Sequence, residues 1–282
     1  MQGSFRRRFA AFAIAALGLC WTLPAFPQAL PPLPDAIRAH RLLRVGIKCD
    51  YPPDGFLDPR GRPAGIEIDL ARQIAAYAFG RADRIDMTCV TAANRIPFLL
   101  DGRIDLILAT LSISDERARQ IAFSAPYAWS ASDLLVPRGS PLRTLDDLRD
   151  AVVIVTRGAW QADWFTRNLP GARQVEVETV AEGLQALLQG RGAAYAHDVP
   201  VLQGMARKNR GLRQLGQLYQ VGFRGAAVRQ GEAGWLAYVD AAIARARREG
   251  VIAASVRRYA EPGQASALLK SWDPSRAPAA AR

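Results

Sequence analysis

The chain has 282 residues, half of them apolar and 22% charged, enough for two modest α/β lobes or one large domain once a leader is removed. Its formal charge of +11 falls to about +8 without Arg6, Arg7 and Arg8. The remaining basic residues are scattered or lie in helical patterns such as Arg245-Ala246-Arg247-Arg248, which argues against a nucleic-acid partner.

Arg6, Arg7 and Arg8 precede an apolar run over residues 9–21, with small residues at Ala25 and Ala29. This is the pattern of a cleaved export leader over residues 1–29, and it places the mature protein in the periplasm. The run is too short to favour a transmembrane helix, and no later stretch could span a bilayer. Leu19 before Cys20 argues against a lipid anchor. Removing the leader leaves Cys49 and Cys89 as an even pair in an oxidising compartment. A Cys49–Cys89 disulfide is therefore expected, the alternative being two buried free thiols.

From residue 42 short apolar strands alternate with amphipathic helices. Strands are expected at 43–47, 85–90 and 104–109, with helices from 65 to about 78 and from 95 to 102 between them. The turn-rich stretches 52–55 and 58–61 separate the first strand from the first helix. Another strand over 132–137 leads to a loop at 138–141, a candidate crossing between lobes. A second series follows: strands at 151–155, 175–177 and 193–196, helices at 160–168 and 180–188. Extended chain returns over 219–228, and helices follow at 235–248 and 251–259. The Pro- and Ala-rich tail over 273–282 is expected to be mobile. Such a βαβαβ series implies parallel sheets covered by helices, with ligands beyond the carboxyl ends of the strands.

The most informative stretch is 110–124, TLSISDERARQIAFS. An apolar run delivers the hydroxyls of Thr110, Ser112 and Ser114 to a turn, and Ser114-Asp115-Glu116 reads as a helix start. Arg117 stands beside them. Guanidinium groups grip carboxylates through two parallel charged hydrogen bonds, so this is equipment for a small carboxylate.

The segments GIKCDYPP, GIEIDLARQIA, NRIPFLLDGRIDLILATLSISDERARQIAFSAPY and AAYAHD together resemble periplasmic solute-binding proteins for amino acids, the family-3 type served by ABC importers. The resemblance spans about residues 42–259. It implies an α/β, two-lobed periplasmic-binding-protein fold, each lobe a mostly parallel sheet with flanking helices, joined by a two-strand hinge. The first lobe would be discontinuous, 40–137 plus 220–260, the second would be 138–219, and 261–282 would form a C-terminal tail. By the same resemblance Arg117 clamps a ligand α-carboxylate, with Thr110 and Ser112 as partners. Asp198 receives the α-ammonium, and Tyr51 lines the cleft. The chemistry agrees, because a zwitterion leaving water needs opposite charge at both ends. His197 and Asp198 are strand neighbours, so their side chains should point to opposite faces.

Lys48 and Arg95 stand where aspartate- and glutamate-binding relatives carry cations, which implies an acidic amino acid. A second ligand carboxylate needs a second cationic cluster, and a basic ligand would meet two like charges. Lys48 and Arg95 could instead pair with Asp50, Asp54 or Asp58. Gln161 is a further candidate donor to the ligand. Ala159 and Trp160 depart from the small hydroxyl residues usual in relatives, and Trp160 either stacks on the ligand or fills part of the cleft. The expected partners are an amino acid and the membrane permease of an importer. No nucleic acid, cofactor or metal is expected, and a monomer is. Two other functions are weighed: a prephenate-type (cyclohexadienyl) dehydratase on this fold, with Glu67 and Asp198 as its candidate acids, and a ligand-binding sensory module. No Ser/His/Asp set, metal spacing or phosphate loop accompanies them.

Overall fold

A computed structural model describes residues 29–279. The leader expected over 1–29, Cys20 included, lies outside them but for its last residue, and so do the final three residues. Two sheets organise the described chain. The first has five strands in the order Ile85–Cys89, Leu43–Ile47, Leu106–Leu108, Ala227–Arg229, Ile121–Phe123. The first three are parallel, and the returning strand Ala227–Arg229 runs antiparallel to both of its neighbours. The second orders Arg173–Val177, Val152–Thr156, Ala194–Asp198, Ala128–Pro137 and Leu212–Gln214, with Tyr219–Arg224 also paired to Ala128–Pro137. Each lobe is thus parallel at one side and antiparallel where the chain crosses between lobes. The fold is the expected two-lobed α/β one, with mixed sheets.

Burial explains why these segments pair. Leu43, Val45 and Ile47 are wholly buried, as are Leu106, Ile107 and Leu108, because helices cover both faces of the sheet. In the second lobe alternation sorts the strand Ala128–Pro137: Leu134 and Val136 pack with Phe165, and Leu135 packs with Tyr195 and Leu202 on the other face. The helix Ala233–Arg248 returns after the second lobe to bury Trp235, Tyr238 and Val239 in the first lobe's core. This makes the first lobe discontinuous in sequence.

The crossing differs from the expected one. Residues 132–137, read as the last strand of the first lobe, belong to the long strand Ala128–Pro137, and Ser132–Leu135 pair with Tyr195–Asp198 of the second. Ala128–Ser130 pair with Gly222–Arg224, so the two connecting strands form a short antiparallel ribbon before residue 138. The C-terminus also differs. An additional helix, Ala265–Ser271, brings Trp272 into the first lobe's core beside Tyr127. Asp273 caps a further helical turn, Pro274–Arg276. The Pro and Ala content of the tail conceals one large aromatic anchor, which composition averages away.

Candidate functional site

Three strand ends of the first lobe meet the second lobe across a cavity of about 380 Å³. Every expected ligand residue except Arg117 borders it: Lys48 and Tyr51, Arg95, Thr110 and Ser112, Gln161 and Asp198. The lobes are closed on one another. The Val180 N–H, opening a second-lobe helix, donates to Asp50 Oδ2 at 3.2 Å. Gly158 has φ +71° and lies against Ala93, so that a Cβ would come within 2.7 Å of the Ala93 Cα. Only glycine combines that backbone with that approach. A larger cavity of about 670 Å³ lies against the hinge beside Trp129 and Leu218. It lacks the three strand ends.

Arg117 sits on the short helix Asp115–Ala118, whose Ser114 cap accepts from the Arg117 N–H. Its guanidinium donates to the carbonyls of Ser112 (2.9 Å) and, across the lobes, Gly158 (3.2 Å). Asp163 stands 4.0 Å away. Arg117 therefore ties the two lobes together beside the cavity without lining it. Thr110 is a non-glycine residue at φ 49°, a costly conformation. Its N–H is turned inward to the Glu67 carboxylate, at 2.9 and 3.1 Å, and the Tyr127 hydroxyl donates to the same acid. Burial, with the nearby charge of Asp54, pushes the Glu67 carboxyl up to about 7 despite those donors. Glu67 does not border the cavity: it braces the strand end from behind, and so is badly placed for the acid role weighed above.

Asp198 is the most heavily bonded group of the site. Its Oδ1 accepts from Gln161 Nε2 (2.8 Å) and Trp160 Nε1 (3.1 Å). Its Oδ2 accepts from Arg224 Nη2 (2.9 Å) and from the Tyr51 hydroxyl. Gln161 Nε2 also donates to Ser132 Oγ at 3.0 Å, so the amide is turned to protein rather than held free. Asp198 occupies the N-cap position of the helix Val199–Lys208, yet its side chain makes no cap hydrogen bond. The chain turns there, and His197 and Asp198 both border the cavity, against the alternation expected of a strand. The Asp198 N–H donates to His197 Nδ1 at 2.8 Å, and burial lowers the His197 pKa to about 4, which keeps the ring neutral.

Arg224 was not foreseen. It ends the strand Tyr219–Arg224, is 3% exposed, and reaches Asp54 (2.7 Å), the Tyr51 oxygen (2.8 Å), Ser130 (3.2 Å) and Asp198. Trp272 donates its indole N–H to the other oxygen of Asp54 at 3.1 Å. Burial wins at Asp54, whose carboxyl is raised. At Asp198 burial acts in the same sense, but the Arg224 charge and the surrounding donors hold the carboxyl below the ordinary range. An arginine inside the apolar run 219–228 was the available signal, since a buried guanidinium demands a buried acid. Trp160 fills this end of the cleft, and Gly222 makes room, since a Cβ there would lie 2.8 Å from the indole.

At the opposite end Lys48 Nζ pairs with Asp50 Oδ1 at 2.7 Å, so the alternative pairing on the neighbouring loop holds for Lys48. Burial still lowers its pKa. Among the described residues Arg95 has no acid partner within salt-bridge distance. Its Nη1 donates to the Ala109 carbonyl at 2.6 Å and its buried Nε has no partner. Burial, then the charge of Arg117, lowers its pKa to about 9, so it stays cationic at neutral pH. Cys49 and Cys89 are joined by a disulfide, Cα atoms 5.5 Å apart, tying the strand end that carries Lys48 to the one that leads to Arg95. Among the described residues no group of His, Cys, Asp and Glu is arranged to hold a metal ion, and no helix is long and apolar enough to cross a membrane.

The chain is 30% identical over 217 residues to the glutamine-binding protein of an ABC transporter from Bacillus subtilis, covering 76% of this chain and 80% of the relative. It is 28% identical to the L-cystine-binding protein of Escherichia coli, over 80% of this chain and 85% of that one. The solved solute receptor for L-cysteine of Neisseria gonorrhoeae superposes with a TM-score of 0.80 at 28% identity, covering 86% of this chain and 97% of the receptor. These relatives are binding proteins, not enzymes, and the model of the bacterial extracellular solute-binding proteins, family 3, matches residues 43–262. The chain belongs to that family.

Proposed function

We propose that this chain is the periplasmic capture component of an ABC importer, acting as a monomer and closing its two lobes over an amino acid with an acidic side chain, glutamate or aspartate. The observation that carries the side-chain reading is Arg95, a buried guanidinium on the cavity wall with one carbonyl for company and an unpartnered Nε. A buried cation in that state is stabilised by an incoming carboxylate, and a charged hydrogen bond contributes about 1.5–3 kcal/mol. Lys48 adds positive potential behind it, tempered by Asp50. In this reading Arg117, Thr110 and Ser112 receive the α-carboxylate, Asp198 faces the α-ammonium, and Tyr51 and Gln161 shape the pocket around them. Lobe closure is a rotation about the ribbon formed by Ala128–Pro137 and Tyr219–Arg224.

The named relatives take glutamine, cystine and cysteine, so the backbone of the ligand is supported by kinship and its acidic end by Arg95 alone. Thermal-shift screening of the mature protein against the common amino acids and small dicarboxylates, then calorimetry on the best hit, tests the reading. Glutamate or aspartate should give the largest shift. A larger shift with glutamine, cystine or arginine, and none with the two acids, refutes it.

A further inference from the structure

A carboxylate offers about four acceptor positions, two on each oxygen. At Asp198 all four are taken by the protein itself: Gln161 and Trp160 on Oδ1, Arg224 and Tyr51 on Oδ2. One of those donors carries a full positive charge, 2.9 Å from the carboxylate. Arg224 is not a loose surface cation that a solute could brush aside. It is 3% exposed and fixed by Asp54 at 2.7 Å, while the Trp272 indole holds Asp54 in turn. Arg224 therefore occupies, from the hinge side, the electrostatic place that a solute's ammonium would otherwise take.

We infer that Arg224 is a specificity-determining residue, a resident counter-ion of Asp198 that makes the solute's α-amino group dispensable. The ligand class then widens from amino acids to carboxylic acids of the same skeleton without the amine, such as glutarate beside glutamate. The physical reason is charge balance. A free buried carboxylate favours a cationic ligand group, because the empty site leaves it unpaired. Once Arg224 pairs it, an arriving ammonium must share the acid with an existing cation or displace it, and either way gains little. The inference rests on the reading that Asp198 faces the α-carbon of the solute, but not on the solute having an acidic side chain.

The test is a pair of dissociation constants from calorimetry on the mature protein: an amino acid and its des-amino acid. The pair is glutamate and glutarate if the acidic reading holds. It becomes glutamine and glutaramic acid, or arginine and 5-guanidinopentanoic acid, if the screen selects those side chains, so the two readings fail separately. Wild type should bind the des-amino acid within about tenfold of the amino acid. Discrimination of a hundredfold or more in favour of the amine overturns the inference without any variant. The double substitution Arg224→Met with Asp54→Asn removes the cation together with its second acid, so that Asp198 alone loses a counter-ion. It should raise the preference for the amino acid at least tenfold. An unchanged ratio in a folded double variant also overturns it, and if that variant does not fold, the wild-type ratio decides.

Discussion

At Asp198 four donors drawn from both lobes and the hinge converge on one carboxylate, whereas at Arg95, the opposite end of the same cavity, a buried guanidinium meets a single carbonyl and leaves its Nε unpartnered. Both groups are charged, and both are 5% exposed or less. They differ in who supplies the compensation. A saturated buried charge is part of the fold, and removing it strands its donors. An unsaturated one is a standing cost to the empty protein that a complementary solute relieves. The Asp198 carboxylate is thus filled by protein donors, while the Arg95 guanidinium is open to chemistry.

Substituting each charge should break this contrast cleanly. Asp198→Ala leaves Arg224 with Asp54 alone and strands the donors of Tyr51, Trp160 and Gln161. It should lower the unfolding free energy by about 3–5 kcal/mol, read by urea denaturation. The disulfide lies on the Arg95 side. Replacing both Cys49 and Cys89 by Ser opens a loop of 40 residues in sequence separation and should lower stability by about 4 kcal/mol on chain-entropy grounds. Ligand selectivity should follow only so far as the two strand ends separate. A variant as stable as wild type would show that the bridge does not constrain the unfolded chain.

Arg95→Leu should act in the reverse sense from Asp198→Ala. Its stability should equal or exceed that of wild type, because an incompletely partnered buried cation is gone, while affinity for glutamate or aspartate falls by about 10–100-fold, equivalent to one charged hydrogen bond. If stability drops as steeply as in Asp198→Ala, Arg95 is a structural residue and the contrast fails. The last effect concerns pH. His197 is held near pKa 4 when folded, against an ordinary value of 6.5. Below pH 6.5 the unfolded chain takes up a proton that the folded chain refuses until about pH 4. Wild type should therefore lose up to about 1.4 kcal/mol per pH unit across that window relative to His197→Gln, and the two should converge in slope above pH 7. Parallel stability profiles from pH 4 to 7 would exclude a buried neutral imidazole.

Much of the fold was legible because hydrophobic period and strand length are local. The runs around Leu43, Leu106 and Val153 read as buried strands, and their apolar residues are largely buried in the sheets. The hinge was less legible. The strand expected at 132–137 begins four residues earlier, at Ala128, where pairing with Tyr219–Arg224 extends it. Trp272 could not be placed by pattern, because the seven-residue helix before it buries little of its own. At the site, the sequence brought forward the residues around the cavity but not their partners. Lys48 read as a cation for the ligand side chain, with pairing to the neighbouring loop as the alternative, and it is Asp50 that neutralises it. Arg117 read as a ligand clamp, and its guanidinium joins two carbonyls, one from each lobe.

The sequence by itself determined the two-lobed family architecture, the cysteine pair, and the collection of hydroxyl, cationic and acidic residues at strand ends, because these follow from periodicity, composition and motif spacing. Tertiary structure alone decided which charges are satisfied. Asp54, Asp198 and Arg224 are separated by up to 170 positions and meet only where the two connecting strands bring both lobes to one point. Electrostatic compensation acts through space over a few ångströms, and no local pattern records which distant side chain will supply it.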